Sequence, residues 1–525
     1  MKLYRAFATV GGLTMMSRIL GFGRDILIAR VLGTGPAADA FVVAFQFPNL
    51  FRRLFGEGAF NSAFVPLFTA KLNAEGKPQA RHFAEEALAG LLFVLLMLSC
   101  VAIAAMPWLM YAIAPGFSDT PDKFNLSVVM TQITFPYLAC MSLVALLSGV
   151  LNALGRFSAA AAAPILLNLV LMLVMLGAVY FDVTGGREAG VLLAWGVMIA
   201  GIAQLLFLSI AAYRAGMGLG FRRPRLTPDV RRLVALGVPG VISGGITQIN
   251  LLIGGIIASF QDGARAFLYY ADRLYQLPLG VVGVAIGVVL LPELVRHLTQ
   301  KNEAAALDGQ NRSLEFALLL TIPAAVALFV LANPLISVLF QRGAFTAADV
   351  PPTAMALAIF SLGLPAFVIQ KVFQPGYFAR QDTKTPMRFA AINFVINVVA
   401  SLALFALFSR IGVMPHLGIA IATTLAGWVN ALQLWRGLVA RGHFKSDARF
   451  TRNLPLIILA SAVMGIVLWF AVPFFANFID PVRLAPVKFS AMALLILLGC
   501  FVFFAVIHVT GVLRLGQFVR MLSRK

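Results

Sequence analysis

The sequence predicts an all-α polytopic membrane protein, and three observations predict it. Of 525 residues, 60% are hydrophobic and only 12% charged, about half the charged share of a soluble domain, and the mean hydropathy is +0.91. The apolar runs extend well past the roughly ten-residue alternation of a barrel strand and are long enough for helical spans. Lys and Arg fall unevenly between alternate loops, as in a chain threaded through a bilayer.

Hydropathy and turn signals mark fourteen spans. The first, 7–33, follows Lys2 and Arg5. Arg18 interrupts what would be the apolar core of a signal peptide, and no small-x-small cleavage site follows, so this segment is expected to remain as a helix. GTGP at 33–36 turns the chain into span 37–70. Spans 83–113 and 124–153 are parted by PGFSDTPD at 115–122, and spans 159–181 and 189–213 by VTGGRE at 183–188. The second half carries 231–259, 264–296, 310–340, 348–379, 386–409 and 416–440, then 453–478 and 485–513.

The net charge of +20 would suggest nucleic acid in a soluble protein, but here it is topological and no nucleic-acid partner is expected. With both termini in the cytoplasm, 27 of the 41 Lys and Arg residues lie in cytoplasmic tails and loops. Eight lie at outer loops and span ends: Arg30, Lys123, Arg187, Arg265, Arg342, Arg410, Arg483 and Lys488. The remaining six, Arg18, Arg24, Arg52, Arg53, Arg273 and Lys371, fall inside the membrane. That asymmetry selects an even number of spans with both ends inside.

An internal repeat sets the domain organisation. A shift of 226 residues lays Ala38-Asp39-Ala40-Phe41 on Ala264-Arg265-Ala266-Phe267, and a shift of 225 lays Leu167-Asn168-Leu169-Val170 on Ile392-Asn393-Phe394-Val395. Six spans per copy make the repeat parallel, so two lobes around a central cavity are expected, a transporter plan. The domains are then 1–222 and 223–445, with 446–525 holding two additional helices.

The candidate site residues are the intramembrane charges, because each costs roughly 2.5–3.5 kcal/mol at mid-bilayer and persists only where it faces protein or water. Arg18 and Asp25 share one face of the first span, with Arg24 about 100° away. Gly21 and Gly23 between them permit a bend or close packing. One interpretation is a structural Arg18–Asp25 pair; the other makes Arg24 and Arg18 anion ligands in a hydrated cavity. In the second span, Asp39 and Arg52 lie ~20 Å apart along the axis, Asp39 near the outer surface, and Pro48 can kink the helix between them. Arg53 and Glu57 form an i,i+4 pair, which leaves Arg52 the freer cation, although both arginines can also snorkel to the inner interface. Arg273, in the cluster Tyr269-Tyr270-Ala271-Asp272-Arg273, supplies a cation from the second repeat. Arginine's planar fork suits phosphate oxygens, and a diphosphate is the natural ligand for Arg24, Arg52 and Arg273, with Arg18 behind them. Asp25, Asp39, Arg53 and Glu57 are the gating or orienting groups. Lys371 suits a cavity and a snorkelling role equally.

The sequence contains no HExxH, no metal-spaced Cys/His set and no P-loop, so neither a cofactor nor a metal is expected, and an enzyme is disfavoured. Cys100, Cys140 and Cys500 lie in apolar runs and imply no disulfide framework.

The motifs S-R-x-L-G-x-x-R-D at 17–25, A-D-A-F at 38–41, P-N-x-x-R-R-L-x-x-E-G at 48–58 and N-S-A-F-V-P at 61–66 resemble those of the MurJ (MviN) lipid II flippases. Y-Y-A-D-R-L-Y-Q-L-P at 269–278 and P-G-Y-x-x-R-Q-D-T-K-T-P at 375–386 are similar to the same family, and the resemblance runs from residue 5 to about 510. It places the chain in the multidrug/oligosaccharidyl-lipid/polysaccharide exporter superfamily. It implies fourteen helices, in two six-helix lobes plus a final pair that forms a lipid-tail groove. It also implies a cargo: lipid II, an undecaprenyl diphosphate carrying a disaccharide-pentapeptide, moved from the inner to the outer leaflet of the bacterial cytoplasmic (inner) membrane. Arg18, Arg24, Arg52 and Arg273 match the family's cavity arginines, with Asp25 and Asp39 as acidic companions. Membrane lipids are the other expected partners, and the chain is expected to act as a monomer by alternating access. The alternatives are a cation-coupled multidrug exporter, whose cationic drugs a net-positive cavity suits poorly, or another lipid-linked oligosaccharide exporter, and a non-transporting scaffold or polyprenyl-phosphate enzyme.

Overall fold

In the computed structural model, which describes residues 2–52, 60–480 and 483–512, the described residues form α-helices and short 3₁₀ turns, with no β-strand. The first half contains α1 (Lys2–Leu32), α2 (Pro36–Arg52), α3 (Phe60–Ala74), α4 (Lys77–Ile113), α5 (Pro121–Thr134), α6 (Tyr137–Ala153), α7 (Phe157–Tyr180), α8 (Arg187–Arg214) and α9 (Pro228–Ala258). The second contains α10 (Ala264–Thr299), α11 (Glu303–Val330), α12 (Ala332–Phe340), α13 (Val350–Phe378), α14 (Lys384–Arg410), α15 (His416–Ala440), α16 (Ala448–Ile479) and α17 (Ala485–Val509). Ten helical stretches among the described residues are long and apolar enough to cross a membrane. The protein is an all-α multi-pass membrane protein, as its composition requires.

Span 37–70 contains α2 and α3, and its residues 53–59 lie outside the described residues. Two other predicted spans are divided between two helices. Span 124–153 breaks between α5 and α6 at Phe135-Pro136, where proline removes a backbone donor and crowds the preceding turn. Span 310–340 breaks at Leu331, because Pro334 would clash with the Val330 carbonyl in a continuous helix but is tolerated in the first turn of α12. α1, by contrast, runs unbroken through Gly21 and Gly23. Neither glycine is demanded by its neighbours: a Cβ would meet the Asn168 amide at 3.6 Å at Gly21 and the Met172 methyl at 3.8 Å at Gly23, both ordinary contacts.

Packing divides the chain into two compact units, residues 1–266 with 343–345, and residues 267–342 with 346–525. In the first, α1 lies along α7, α7 on α8 and α8 on α6; α2 packs on α5, and α3 on α6 and α9. Its core joins Val43 and Phe47 of α2 to Met106 and Met110 of α4, with Phe117, Phe135 and Leu138. In the second, α13 packs on α11 and α15, α14 on α15, and the pair α16–α17 against α11. Tyr270 stacks near Phe340, and Tyr275 near Phe360 and Phe367, which places α10 on α12 and α13.

Two prolines inside membrane helices remove the donors for carbonyls one turn earlier, and α5 replaces both. Pro48 leaves the Ala44 carbonyl without its helical partner, and the Thr134 hydroxyl donates to it at 2.6 Å. Pro107 does the same to Ile103, whose carbonyl accepts from Gln132 Nε2 at 3.0 Å. Lipid offers no water for such groups, so neighbouring side chains must satisfy them. Thr134→Val, which keeps shape but removes the hydroxyl, is expected to cost about 1–3 kcal/mol. Thermal unfolding of the detergent-purified protein checks this, with Thr134→Ser close to wild type.

Candidate functional site: two charged clusters in the first unit

The first cluster is built on α1. Arg24 is 8% exposed and Asp25 3%. Arg24 Nε and Nη2 donate to Asp25 Oδ1 at 3.1 and 2.7 Å, so adjacent residues meet because the long arginine side chain folds back across the 100° between them. Arg24 Nη1 donates to Asn168 Oδ1 of α7 at 3.0 Å. Asn168, 4% exposed, turns its amide nitrogen to the Ser17 carbonyl at 2.9 Å. The guanidinium also lies 5.5 Å from the Phe45 ring of α2. A guanidinium is thus fixed in position by a carboxylate, an amide and an aromatic face. Arg18 is exposed on α1.

The second cluster gathers at the starts of α2, α5 and α10 and the C-terminal end of α4. Asp39, in the first turn of α2, is 0% exposed and Lys123 of α5 2%. Lys123 Nζ bridges Asp39 Oδ2 at 2.6 Å and Asp262 Oδ1 at 2.9 Å and sits 4.2 Å from the Phe117 ring. Asp39 also accepts the N–H groups of Gly263 at 2.9 Å and Ala266 at 3.1 Å, capping α10 where a helix start carries partial positive charge. Arg265, the repeat counterpart of Asp39, does the converse. Its Nη2 donates to the Ile113 carbonyl at the C-terminal end of α4, where partial negative charge collects, while its buried Nε has no hydrogen-bond partner among the described residues. Repeat-equivalent positions of opposite charge thus bind opposite helix ends. Gly116 permits the tight approach behind them, since a Cβ there would fall 2.5 Å from the Ser259 carbonyl oxygen. Gly33 does likewise at the end of α1: its φ of +63° and the Ala344 oxygen 2.3 Å from a would-be Cβ admit only glycine.

The other sequence-selected residues are placed as follows. Arg52 is the last described residue of α2, and its side chain, together with all of Arg53 and Glu57, lies outside the described residues. In the second unit, the Arg273 guanidinium lies 4.5 Å from the Tyr269 ring, and Asp272 accepts from Gln276. Lys371 is exposed, its Cγ 3.7 Å from a would-be Cβ at Gly283. Asp39, expected only as a gating or orienting group, has Lys123 and the start of α10 as its partners. Asn168, Lys123 and Arg265 were not selected as site residues. The signals were present: Asn168 stands in the repeat match with Asn393, and Lys123 and Arg265 border spans on the side with few basic residues.

Comparison with known proteins agrees with the motifs. The model of the family described as "Lipid II flippase MurJ" matches residues 28–489. A Rhizobium tropici protein with the description "Probable lipid II flippase MurJ" is 48% identical over 526 residues, covering 100% of this chain and 97% of the relative. Among solved structures, "Lipid II flippase MurJ, inward closed conformation" superposes with a TM-score of 0.77 at 25% identity, covering 98% of this chain and 99% of that one. An inward-facing multidrug resistance MATE family transporter of the MOP superfamily shares the fold, with a TM-score of 0.66 at 14% identity over 83% of this chain and 98% of its own. A match across nearly the whole chain, by family model and by relative alike, carries the conclusion that this protein belongs to the lipid II flippase MurJ family.

Proposed function

We propose that the protein moves lipid II from the inner to the outer leaflet of the bacterial inner membrane, in the service of peptidoglycan synthesis, by alternating access of lobes 1–222 and 223–445. Both termini face the cytoplasm, and the chain works as a monomer without a cofactor. Arg24, Arg52 and Arg273, with Arg18, bind the diphosphate, while the polyprenyl tail stays in lipid along the final helix pair. The family membership supports the cargo. The single observation that carries the site is the held guanidinium of Arg24, an arginine buried in a membrane helix.

Asp25 then has a defined part. Its carboxylate takes the Nε–Nη2 edge of Arg24, the edge that suits a bidentate phosphate. An arriving diphosphate displaces Asp25, while Asn168 keeps the remaining nitrogen in place. Asp39 gates the outer end: its bonds to Lys123 and to the start of α10 must break for that end to open. Arg53 and Glu57 act as a pair at the inner end.

Depletion in cells that rely on this protein tests the cargo. Lipid II is expected to accumulate in the inner leaflet and to become scarce at the outer one. Unchanged outer-leaflet lipid II would remove the assignment.

A further inference from the structure

A groove of about 850 Å³ opens between the start of α1, the α6–α7 turn and the last turns of α8. Its walls are apolar, formed by Val10, Leu13, Leu151, Ala162, Phe207 and Ile210. Arg156 and Arg214 also line it, and both are exposed. Arg156 Nη1 donates to the Arg214 carbonyl at 3.4 Å, which holds the two residues side by side. Among the described residues neither has a carboxylate within ion-pair distance. Immediately behind Arg156, α7 begins without a side-chain cap, so its first amides and the positive end of a 24-residue helix face the same place. Three positive features with no negative one thus stand beside an apolar slot.

This pattern is complementary to an amphiphile with an anionic head. We propose that the groove binds an anionic glycerophospholipid of the cytoplasmic leaflet. Its phosphate rests on Arg156, Arg214 and the first amides of α7, and an acyl chain lies along Leu13, Ala162 and Phe207. The side of the membrane follows from the orientation proposed above. Basic pockets between membrane helices on the cytoplasmic side suit such headgroups, and the volume falls in the range of ordinary ligand sites. A free phosphate would use the arginines but leave the apolar walls bare. Neither Arg24 nor Asp39 lines the groove, so the lipid held there is distinct from the cargo.

The test uses the full-length protein, stripped of lipid in detergent, with bound lipid counted by native mass spectrometry. Phosphatidylglycerol is expected to bind in preference to phosphatidylcholine with the same chains, and to weaken as salt rises. The double variant R156A/R214A is expected to bind phosphatidylglycerol about tenfold more weakly. Ala162→Trp, which fills the slot and leaves both arginines, is expected to weaken it similarly and decides the matter if the double variant fails to fold. Equal binding of the two lipids, or wild-type binding by the variants, would overturn the proposal. So would displacement of phosphatidylglycerol by undecaprenyl diphosphate at lower concentration, since the groove would then belong to the cargo. None of these outcomes depends on flipping, so the cargo assignment stands or falls separately.

Discussion

Lys123→Met is expected to cost the folded protein about 3–5 kcal/mol, because it leaves one buried charge without its counter-ion. Lys123 is 2% exposed and Asp39 0%, so water cannot take over the role of the lost ammonium. The two backbone N–H groups at the start of α10 still hold Asp39, which places the loss near the lower end of that range. Methionine retains the stem volume against Phe117, so the effect is electrostatic and not one of packing. Adding Asp39→Asn is expected to recover part of the loss, because the neutral amide needs no counter-ion and its oxygen still accepts one of the two N–H groups, which reach different oxygens of Asp39. Thermal unfolding of the two variants in the same detergent checks this. A double variant less stable than Lys123→Met would contradict the pairing. In function, the single variant is expected to favour an open outer end, since the contact joining α2 and α5 to the start of α10 is the one weakened.

Arg24→Ala is expected to lower transport by about 10–100-fold, the loss of one charged, two-pronged hydrogen-bonded contact. Arg24→Lys is expected to restore little, because an ammonium cannot match two phosphate oxygens with a planar fork. Asn168→Leu separates position from charge. It leaves the guanidinium intact but removes its third anchor, so transport is expected to fall less, with Arg24 still present and the fold preserved. Growth of cells depleted of the wild-type protein and complemented by each variant measures the order. If Arg24→Ala supports normal growth, Arg24 has no part in the site. If Asn168→Leu is as severe as Arg24→Ala while remaining folded, Asn168 touches the cargo itself instead of orienting Arg24.

Much of this was legible in the sequence, and the part that was not has a common cause. Helical period and hydropathy locate spans to within a few residues, as α15 illustrates at His416–Ala440 against an expected 416–440. The cost of charge in lipid singles out Arg24 and Asp39. Spacing along one helix, however, says which residues share a face and not which other helix meets that face. The Asn168–Arg24 and Lys123–Asp39 contacts span 144 and 84 residues of chain, so no local pattern announces them. The same limit hid Thr134 and Gln132: Pro48 and Pro107 show that two carbonyls lack partners, but only the fold shows that α5 supplies both donors. The Arg24–Asp25 bond was missed for another reason. The ~100° rule describes Cβ directions, whereas a guanidinium at the end of a flexible stem reaches beyond them.

The intramembrane arginines are proposed to form a site that opens to each side of the membrane in turn. The most direct test is side-specific labelling of single cysteines at positions 24, 52 and 273, in a chain whose Cys100, Cys140 and Cys500 have been replaced. A membrane-impermeant thiol reagent, applied from one side and then from the other in oriented vesicles, is expected to reach each position from both sides. Each variant keeps the other arginines, so lipid II at a level high enough to offset the weakened binding is expected to shift the balance between the two sides and to slow labelling. Labelling from one side only, unchanged by lipid II, would contradict the account.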